Sequence, residues 1–178
     1  TAERIFADFA DAQTVNSAAS GEWKTPLWAA LTDAGLPLAW VPEEFGGAGA
    51  GLADGFGVAS AAGRFAIAVP LAETMLAGWL LARAGLAAPD GAMTVAPARP
   101  QDRVTLHNDN TLSGRARGVP FASEAQHIAV IAEGADGFAV ALVPAAACRI
   151  ERGANLAGDA SDIVTFDKAR PAAVKPAP

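Results

Sequence analysis

The sequence contains little cysteine: Cys148 is the one thiol among 178 residues. A single cysteine cannot form a disulfide within the chain, and it cannot build a cysteine-based metal cluster. Long apolar runs are also missing, because no stretch approaches about 18 uninterrupted apolar residues and no basic start precedes an apolar segment. We therefore expect neither a membrane span nor a signal peptide. The low cysteine content suits a reducing compartment, and we expect the protein in the cytoplasm.

Positive charge is scarce as well. The chain has 13 Lys and Arg residues against 19 Asp and Glu residues, which gives a net charge of −6 and a pI near 4.8. This balance argues against nucleic acid or an anionic membrane surface as a partner. Apolar residues make up 52% of the chain, which is enough for a sizeable core. Much of that content is alanine, which favours closely packed helices.

The first half of the chain has the pattern of helices. Apolar residues recur at helical spacing, and Pro and Gly mark the boundaries of the segments. In the second segment, Thr25 is the predicted N-cap, Pro26 the first helical residue and Gly35 the stop signal. We assign residues 1–88 to an N-terminal all-helical domain. The predicted helical segments are residues 2–13, 25–35, 51–65 and 70–85.

The pattern changes near Pro89, where short segments of β-type composition begin to alternate with turn residues. Seven strands without intervening helices predict a small antiparallel β-barrel or sandwich, so the predicted fold class is α+β. The β-domain spans residues 89–168. We interpret the Pro/Ala-rich residues 169–178 as a linker toward a further element after Pro178. The predicted strands are residues 92–96, 103–107, 111–114, 127–133, 137–143, 148–151 and 162–166.

Residues 41–52, VPEEFGGAGAGL, follow an apolar run and place four glycines within six residues. We call this stretch the glycine segment. A dinucleotide phosphate loop requires G-x-G-x-x-G; Gly47 and Gly49 meet the first two positions, but Leu52 occupies the third. Starting the pattern at Gly49 places Asp54 third, and its carboxylate would repel a phosphate. We therefore predict a tight connection between helices, in which glycine supplies the backbone freedom.

Several motifs in a fixed order carry a family resemblance. The first half has a Trp-x-x-Leu pair, Gly-Leu, Val-Pro-Glu-Glu-Phe-Gly-Gly and Gly-Arg, and longer matching segments follow. In this order and spacing they resemble the acyl-CoA dehydrogenase family over nearly the whole chain. The matching residues are Trp28 to Leu31, Gly35-Leu36, Val41 to Gly47, Gly63-Arg64, and segments 68–85, 112–133 and 163–171.

The resemblance implies a subunit of three parts: an N-terminal helical domain, a middle antiparallel β-domain and a C-terminal four-helix domain. Residues 1–178 correspond to the first two. In this family FAD lies between the β-domain and the C-terminal helices. A carboxylate removes the α-proton of an acyl-CoA thioester while the flavin accepts hydride from the β-carbon. That carboxylate is usually a glutamate of the C-terminal domain, so we expect it beyond Pro178 and no catalytic residue in this chain. The resemblance also implies a flavin electron acceptor protein and a homo- or hetero-oligomer.

Two flavin-contacting motifs of the family are altered in this sequence. The L-T-E-P-x-x-G-S-D motif corresponds to residues 93–102, MTVAPARPQD, where Thr94 matches the threonine but Glu, Gly and Ser are missing. The G-E-K-x-W-I-T-N motif, aligned on its first glycine, has Gly118 in place of Trp and Pro120 in place of Thr. Proline lacks both a hydroxyl and an N–H group. By resemblance, Thr94 is the residue of this chain expected to contact FAD.

Two hypotheses follow from these departures. In the first, which the sequence favours, the protein is a divergent flavin-dependent acyl-CoA dehydrogenase that desaturates an acyl-CoA thioester. In the second, it is a non-catalytic partner subunit of a heteromeric acyl-CoA dehydrogenase and binds FAD weakly or not at all. The two differ in whether the lone polypeptide carries flavin and turns over acyl-CoA substrates.

Other residues have both functional and structural interpretations. Trp40 is a candidate for lining an acyl channel, and Arg115 and Arg117 are candidates for attracting CoA phosphates. Core packing and solvation are the commoner roles of such side chains. The adjacent carboxylates Glu43 and Glu44 have no third ligand near them in sequence, so we predict no metal site. Neither histidine has a Ser or Cys arranged as a nucleophile, so we predict no catalytic triad.

Overall fold

The computed structural model describes residues 1–17 and 21–178, and its first half is helical as predicted. Each of the four predicted helical segments contains helix, and short 3-10 turns at Leu36–Leu38 and Glu43–Phe45 lie in the connection between the second and third segments. The helices are α1 (Ala2–Phe9), α2 (Ala12–Ser17), α3 (Lys24–Asp33), α4 (Leu52–Arg64) and α5 (Leu71–Arg83).

Two predicted helix boundaries are wrong. The helix predicted over residues 2–13 is interrupted at Ala10, whose φ of −143° is not helical. The Asp11 carboxylate then accepts the backbone N–H groups two and three residues further on, at 2.9 and 3.2 Å, so a new helix begins there. Thr25 is not the N-cap of α3, because a hydrogen-bonded turn already leads into the helix at Lys24.

The second half forms one eight-stranded sheet. The strands are β1 (Met93–Ala96), β2 (Arg103–Leu106), β3 (Leu112–Pro120), β4 (His127–Gly134), β5 (Gly137–Pro144), β6 (Arg149–Glu151), β7 (Ser161–Ala169) and β8 (Ala173–Pro176). Their order is β6-β7-β3-β2-β4-β5-β8, and β1 also pairs with β4. β1 and β2 each run parallel to β4. All other pairs, including β2 with β3, are antiparallel. The α+β class is confirmed, while the sheet stays open between its ends at β6 and β8 instead of closing into a barrel.

The predicted linker, residues 169–178, contains the eighth strand. β8 pairs antiparallel with β5, with Ala173 opposite Leu142 and Pro176 opposite Ala139. An edge strand needs backbone hydrogen bonds on one side and no apolar stripe, so its composition resembles that of a linker. Proline is tolerated there because the outward side of an edge strand makes no ladder bonds.

The helices and the sheet share a packed interface centred on α5. Apolar side chains of α5, among them Ala77 and Leu81, share one buried cluster with Met93 of β1, Ala129 of β4 and Val140 of β5. The buried Thr74 hydroxyl joins the two parts: it accepts the Met93 N–H at 2.9 Å and donates to the Pro70 carbonyl at 2.6 Å. Lys24 of α3 forms an ion pair with Glu124 at 2.9 Å across the same junction. The predicted boundary between two domains near residue 88 stays a prediction.

Candidate functional site

The glycine segment uses its backbone N–H groups internally. Every N–H from Phe45 to Ala50 donates to a carbonyl oxygen of residues 38–43, with N···O distances of 2.9–3.2 Å. A phosphate loop instead needs N–H groups that point toward the ligand. These amides therefore cannot cradle a phosphate, and the prediction of a tight connection leading into a helix is confirmed.

Glycines in and near this segment allow aromatic and backbone groups to approach closely. A Cβ on Gly47 would overlap the Val41 carbonyl, and a Cβ on Gly55 would overlap the Trp40 indole. The Trp40 Nε1–H donates to the carbonyl of the first residue of α4 at 3.3 Å. Its ring lies edge-on to Phe56, with ring centroids 5.1 Å apart. The half-buried Trp40 thus holds the start of α4 against the glycine segment.

Two clefts border the glycine segment. The first has a volume of about 390 Å³ and lies between α3, the glycine segment and residues 89–91. The second, of about 350 Å³, lies beside Trp40 and Trp79. Apolar walls with a few polar groups suit the apolar part of a small ligand. The role of Trp40 in an acyl channel stays a prediction. The first cleft is lined mainly by Trp28, Pro37, Leu38 and Pro89, with Thr32 and Asp90 as polar groups.

Thr94, the predicted flavin-contacting residue, lies on β1 and is fully buried. Its Oγ1 donates to the carbonyl oxygen of Pro120, the last residue of β3, at 2.6 Å. The fold therefore brings the two altered motifs into direct contact, although 26 residues separate Thr94 from Pro120. The hydroxyl proton that the resemblance assigns to the flavin is used within the protein.

The residues at this position do not fit the flavin contacts that the resemblance implies. The Thr94 hydroxyl already has an acceptor, and Pro120 has no N–H to donate. Gly118, in the place of the motif's tryptophan, has no ring to lie beside a flavin. Protein groups that tune a flavin do so by hydrogen bonds and by charge near its ring. The side chains of these three residues supply no such hydrogen bond to a flavin.

The perturbed titratable groups lie away from both clefts. Burial raises the pKa of Glu73 on α5, and the nearby negative charge of Asp159 raises it further. Burial also raises the pKa of the Cys148 thiol to about 11, so its reactive thiolate form is scarce. Within residues 1–17 and 21–178, no three His, Cys, Asp or Glu side chains are grouped so that they could hold a metal ion.

The two arginines considered for CoA phosphates lie on the outer face of β3 and already have acidic partners. Arg117 Nε and Nη2 donate to Asp102 Oδ1 at 2.9 and 2.6 Å, and Arg117 N donates to Asp102 Oδ2 at 2.6 Å. Arg115 Nη2 lies 3.7 Å from Glu151 Oε2. Hydrogen bonds from Arg117 lower the pKa of the buried Asp102 carboxyl. Sequence reasoning missed Asp102, because strand alternation places Arg117 on the surface without showing which carboxylate meets it.

Comparison with known proteins gives both a family match and structural neighbours. Residues 2–88 match the family model described as "Acyl-CoA dehydrogenase, N-terminal domain". A variant of the Tcur3481-Tcur3483 steroid ACAD is 30% identical over 96% of this chain and 54% of its own, with a TM-score of 0.78. The ChsE4-ChsE5 complex from Mycobacterium tuberculosis is 24% identical over 94% of this chain and 52% of its own, with a TM-score of 0.81.

A third solved structure is the acyl-CoA dehydrogenase complexed with FAD from Bacillus anthracis. It is 16% identical over 96% of this chain and 35% of its own, with a TM-score of 0.68. The chain thus spans about half the length of the first two structures and about a third of this one. A comparison with curated proteins finds no match. Within the described ranges, no helix has the length and apolar character needed to cross a membrane.

Proposed function

The chain belongs to the acyl-CoA dehydrogenase family, whose N-terminal domain it carries at residues 2–88, and from this premise we propose that it is part of a partner subunit in a heteromeric acyl-CoA dehydrogenase. In this proposal the assembly desaturates an acyl-CoA thioester between its α- and β-carbons. This chain supplies helical and β-sheet scaffold but does not hold FAD through β1 and β3. The observation that carries the proposal is the Thr94 hydroxyl, whose one proton is donated to the Pro120 carbonyl at 2.6 Å and so is not donated to a flavin.

The names of two structurally similar proteins support a heteromeric assembly. One names Tcur3481-Tcur3483 as a steroid ACAD, and the other names a ChsE4-ChsE5 complex. Each name pairs two polypeptides. We extend this organisation to the present chain, with an acyl-CoA substrate, a flavin electron acceptor protein and a cytoplasmic location as further parts of the proposal.

The described residues of this chain contribute shape and packing to such an assembly. The cleft of about 390 Å³ beside Trp28 has mainly apolar walls, which suit an apolar group of a ligand or of a partner. Desaturation also requires a base near the α-carbon. Glu73, the carboxylate whose pKa is raised by burial, lies outside the clefts bordering the glycine segment. The base therefore comes from another part of the assembly in this proposal.

The second candidate is a flavin-dependent acyl-CoA dehydrogenase that is active by itself. The observation that favours it is the match of residues 2–88 to the family model of the acyl-CoA dehydrogenase N-terminal domain. In this alternative, residues outside 1–178 supply both the base and the flavin contacts that β1 and β3 lack. The substrate would again be an acyl-CoA thioester.

Reconstitution of the full-length protein with excess FAD separates the two candidates. For a partner subunit, we expect a colourless protein after removal of free flavin and no turnover on a panel of acyl-CoA thioesters. Visible flavin absorbance together with turnover by the lone polypeptide would contradict the partner role. The matched variant Pro120→Thr restores the hydroxyl residue of the family motif. Its flavin binding, compared with that of the wild type, shows how far the missing hydroxyl limits binding.

A further inference from the structure

We propose that the Arg99 side chain blocks the place beside Gly118 where the family's tryptophan would lie against the flavin ring. The inference deepens the proposed partner role and rests on it. Gly118 occupies the place of the family motif's tryptophan, and the Arg99 guanidinium lies against it. Arg99 Nε and Nη2 are each 3.3 Å from the point that a Cβ on Gly118 would occupy. The exposed Arg99 side chain, from the connection between β1 and β2, thus lies where a side chain at position 118 would begin.

A turn sets the backbone of Arg99. The Asp102 N–H donates to the Arg99 carbonyl at 3.1 Å and closes a four-residue turn. Pro100 is the second residue of this turn, where the fixed φ of proline favours the turn conformation. The next residue, Arg103, donates from its guanidinium to the Asp102 carbonyl at 3.2 Å. Arg99 therefore projects from a backbone that is held at several points.

The Asp102 carboxylate attaches this turn to β3 directly beside Gly118. Asp102 is 5% exposed and accepts three N–H groups of Arg117, the residue that precedes Gly118. A buried carboxylate with charge-assisted hydrogen bonds is a strong local anchor. The Arg99 charge also contributes to the low pKa of Asp102, so this guanidinium lies within electrostatic reach of the same anion. Asp102 thereby holds the turn that carries Arg99 beside Gly118.

The backbone of Gly118 opposes a bulky residue as well. Its φ is +66°, a conformation that residues with a Cβ seldom adopt. A tryptophan there would have to displace Arg99 and accept a strained backbone. The loss of the flavin contact is therefore built into the sheet itself, and it does not depend on which further domain joins the chain.

A double-mutant cycle between Arg99 and Gly118 tests this inference. Arg99→Ala, Gly118→Trp and the double variant are compared by urea unfolding followed by circular dichroism. If Arg99 fills the space, we expect Gly118→Trp to lower the folding equilibrium constant about tenfold more when Arg99 is present than when it is alanine. Additive effects, within about twofold, would overturn the inference.

The control cycle uses Arg149→Ala in place of Arg99→Ala. Arg149 is an exposed arginine of the same sheet and is not among the groups nearest Gly118, so we expect additivity. If Gly118→Trp prevents folding, Gly118→Ala replaces it, because its Cβ alone would lie 3.3 Å from the guanidinium. We then expect coupling of the same sign and about threefold, and additivity with this variant also overturns the inference.

Equilibrium dialysis of the full-length wild-type protein against FAD distinguishes this inference from the proposed function. A flavin-free protein with a coupled cycle supports both. A flavin-free protein with an additive cycle overturns the role of Arg99 and leaves the partner role standing. Stoichiometric flavin on the wild-type protein overturns the partner role, and the closure of the flavin position with it.

Discussion

The helical half and the sheet half use glycine in opposite ways at their family motifs. In the helical half, Gly47 is required because the Val41 carbonyl already occupies the space of a Cβ. In the sheet half, no backbone atom occupies the Cβ position of Gly118; the tip of the flexible Arg99 side chain lies against it, and a φ of +66° favours glycine there. The first glycine is demanded by backbone packing, whereas the second leaves room that another residue fills. Close backbone packing thus fixes Gly47, whereas Gly118 is approached by a side chain from another segment.

The two halves also differ in whether their buried polar groups have hydrogen-bond partners. The glycine segment directs the N–H groups of residues 45–50 to its own neighbouring carbonyls. On the sheet, His127 Nδ1 and Thr165 Oγ1 are buried without a hydrogen-bond partner among the described residues. A buried polar atom without a partner costs stability. We therefore expect substitutions in the glycine segment to be damaging, and some on the sheet to be tolerated or favourable.

The largest expected effect is that of Gly47→Ala. The new Cβ would overlap backbone atoms of Val41, which cannot rotate away as a side chain can, so we expect a loss of about 3 kcal/mol of unfolding free energy. Gly57→Ala on α4 is the matched control, because nothing lies within 4 Å of its Cβ position. The control should gain about 0.5–1 kcal/mol through helix propensity. Urea unfolding measures both, and equal effects would remove the contrast between required and permissive glycines.

The next effect is that of Asp102→Asn, which tests the anchor beside Gly118. The amide keeps the shape but loses the charge and one acceptor role toward Arg117, so we expect a loss of about 2 kcal/mol near neutral pH. Asp102→Glu is the control, because it keeps the negative charge but carries the carboxylate on a longer side chain. A loss below about 0.5 kcal/mol would mean that the turn carrying Arg99 is held by other contacts.

The acid dependence of this anchor has a defined sign. Hydrogen bonds from Arg117 lower the pKa of Asp102 below its ordinary value of 3.8. A lowered folded-state pKa contributes stability above the unfolded-state value, and that stability is lost as the pH falls through the folded-state pKa. We expect the difference between wild type and Asp102→Asn to shrink as the pH falls from about 5 toward the folded-state pKa. The measurement is the urea unfolding midpoint of both proteins at each pH. If the difference between the two midpoints stays constant, Arg117 does not stabilise the charged form of Asp102.

The smallest expected effect is a gain, from Thr165→Val on β7. Valine has nearly the same shape as threonine and removes a buried hydroxyl that has no partner among the described residues, so we expect about 1 kcal/mol of added stability. Thr105→Val, at an exposed position on β2, is the control and should change stability by less than about 0.5 kcal/mol. A destabilised Thr165→Val protein would show that this hydroxyl has a structural role.

Local sequence signals predicted the elements well and their ends less well. All seven predicted strands are present, but β3 continues through Pro120, and β8 lies where a linker was predicted. An edge strand is specified by its neighbour's free backbone groups, which composition does not reveal. The interruption at Ala10 depends on Asp11 capping the next helix, a competition that apolar spacing alone does not register.

The sequence by itself determined the division into helices and sheet, the exclusion of a phosphate loop and the places where the family motifs are altered. These properties follow from short-range periodicity, turn chemistry and residue spacing. The tertiary structure decided that Thr94 meets Pro120 and that Arg99 lies against Gly118. Such contacts join residues on different strands and turns. They depend on which strands become neighbours and on how each side chain is anchored, and no local pattern encodes either choice.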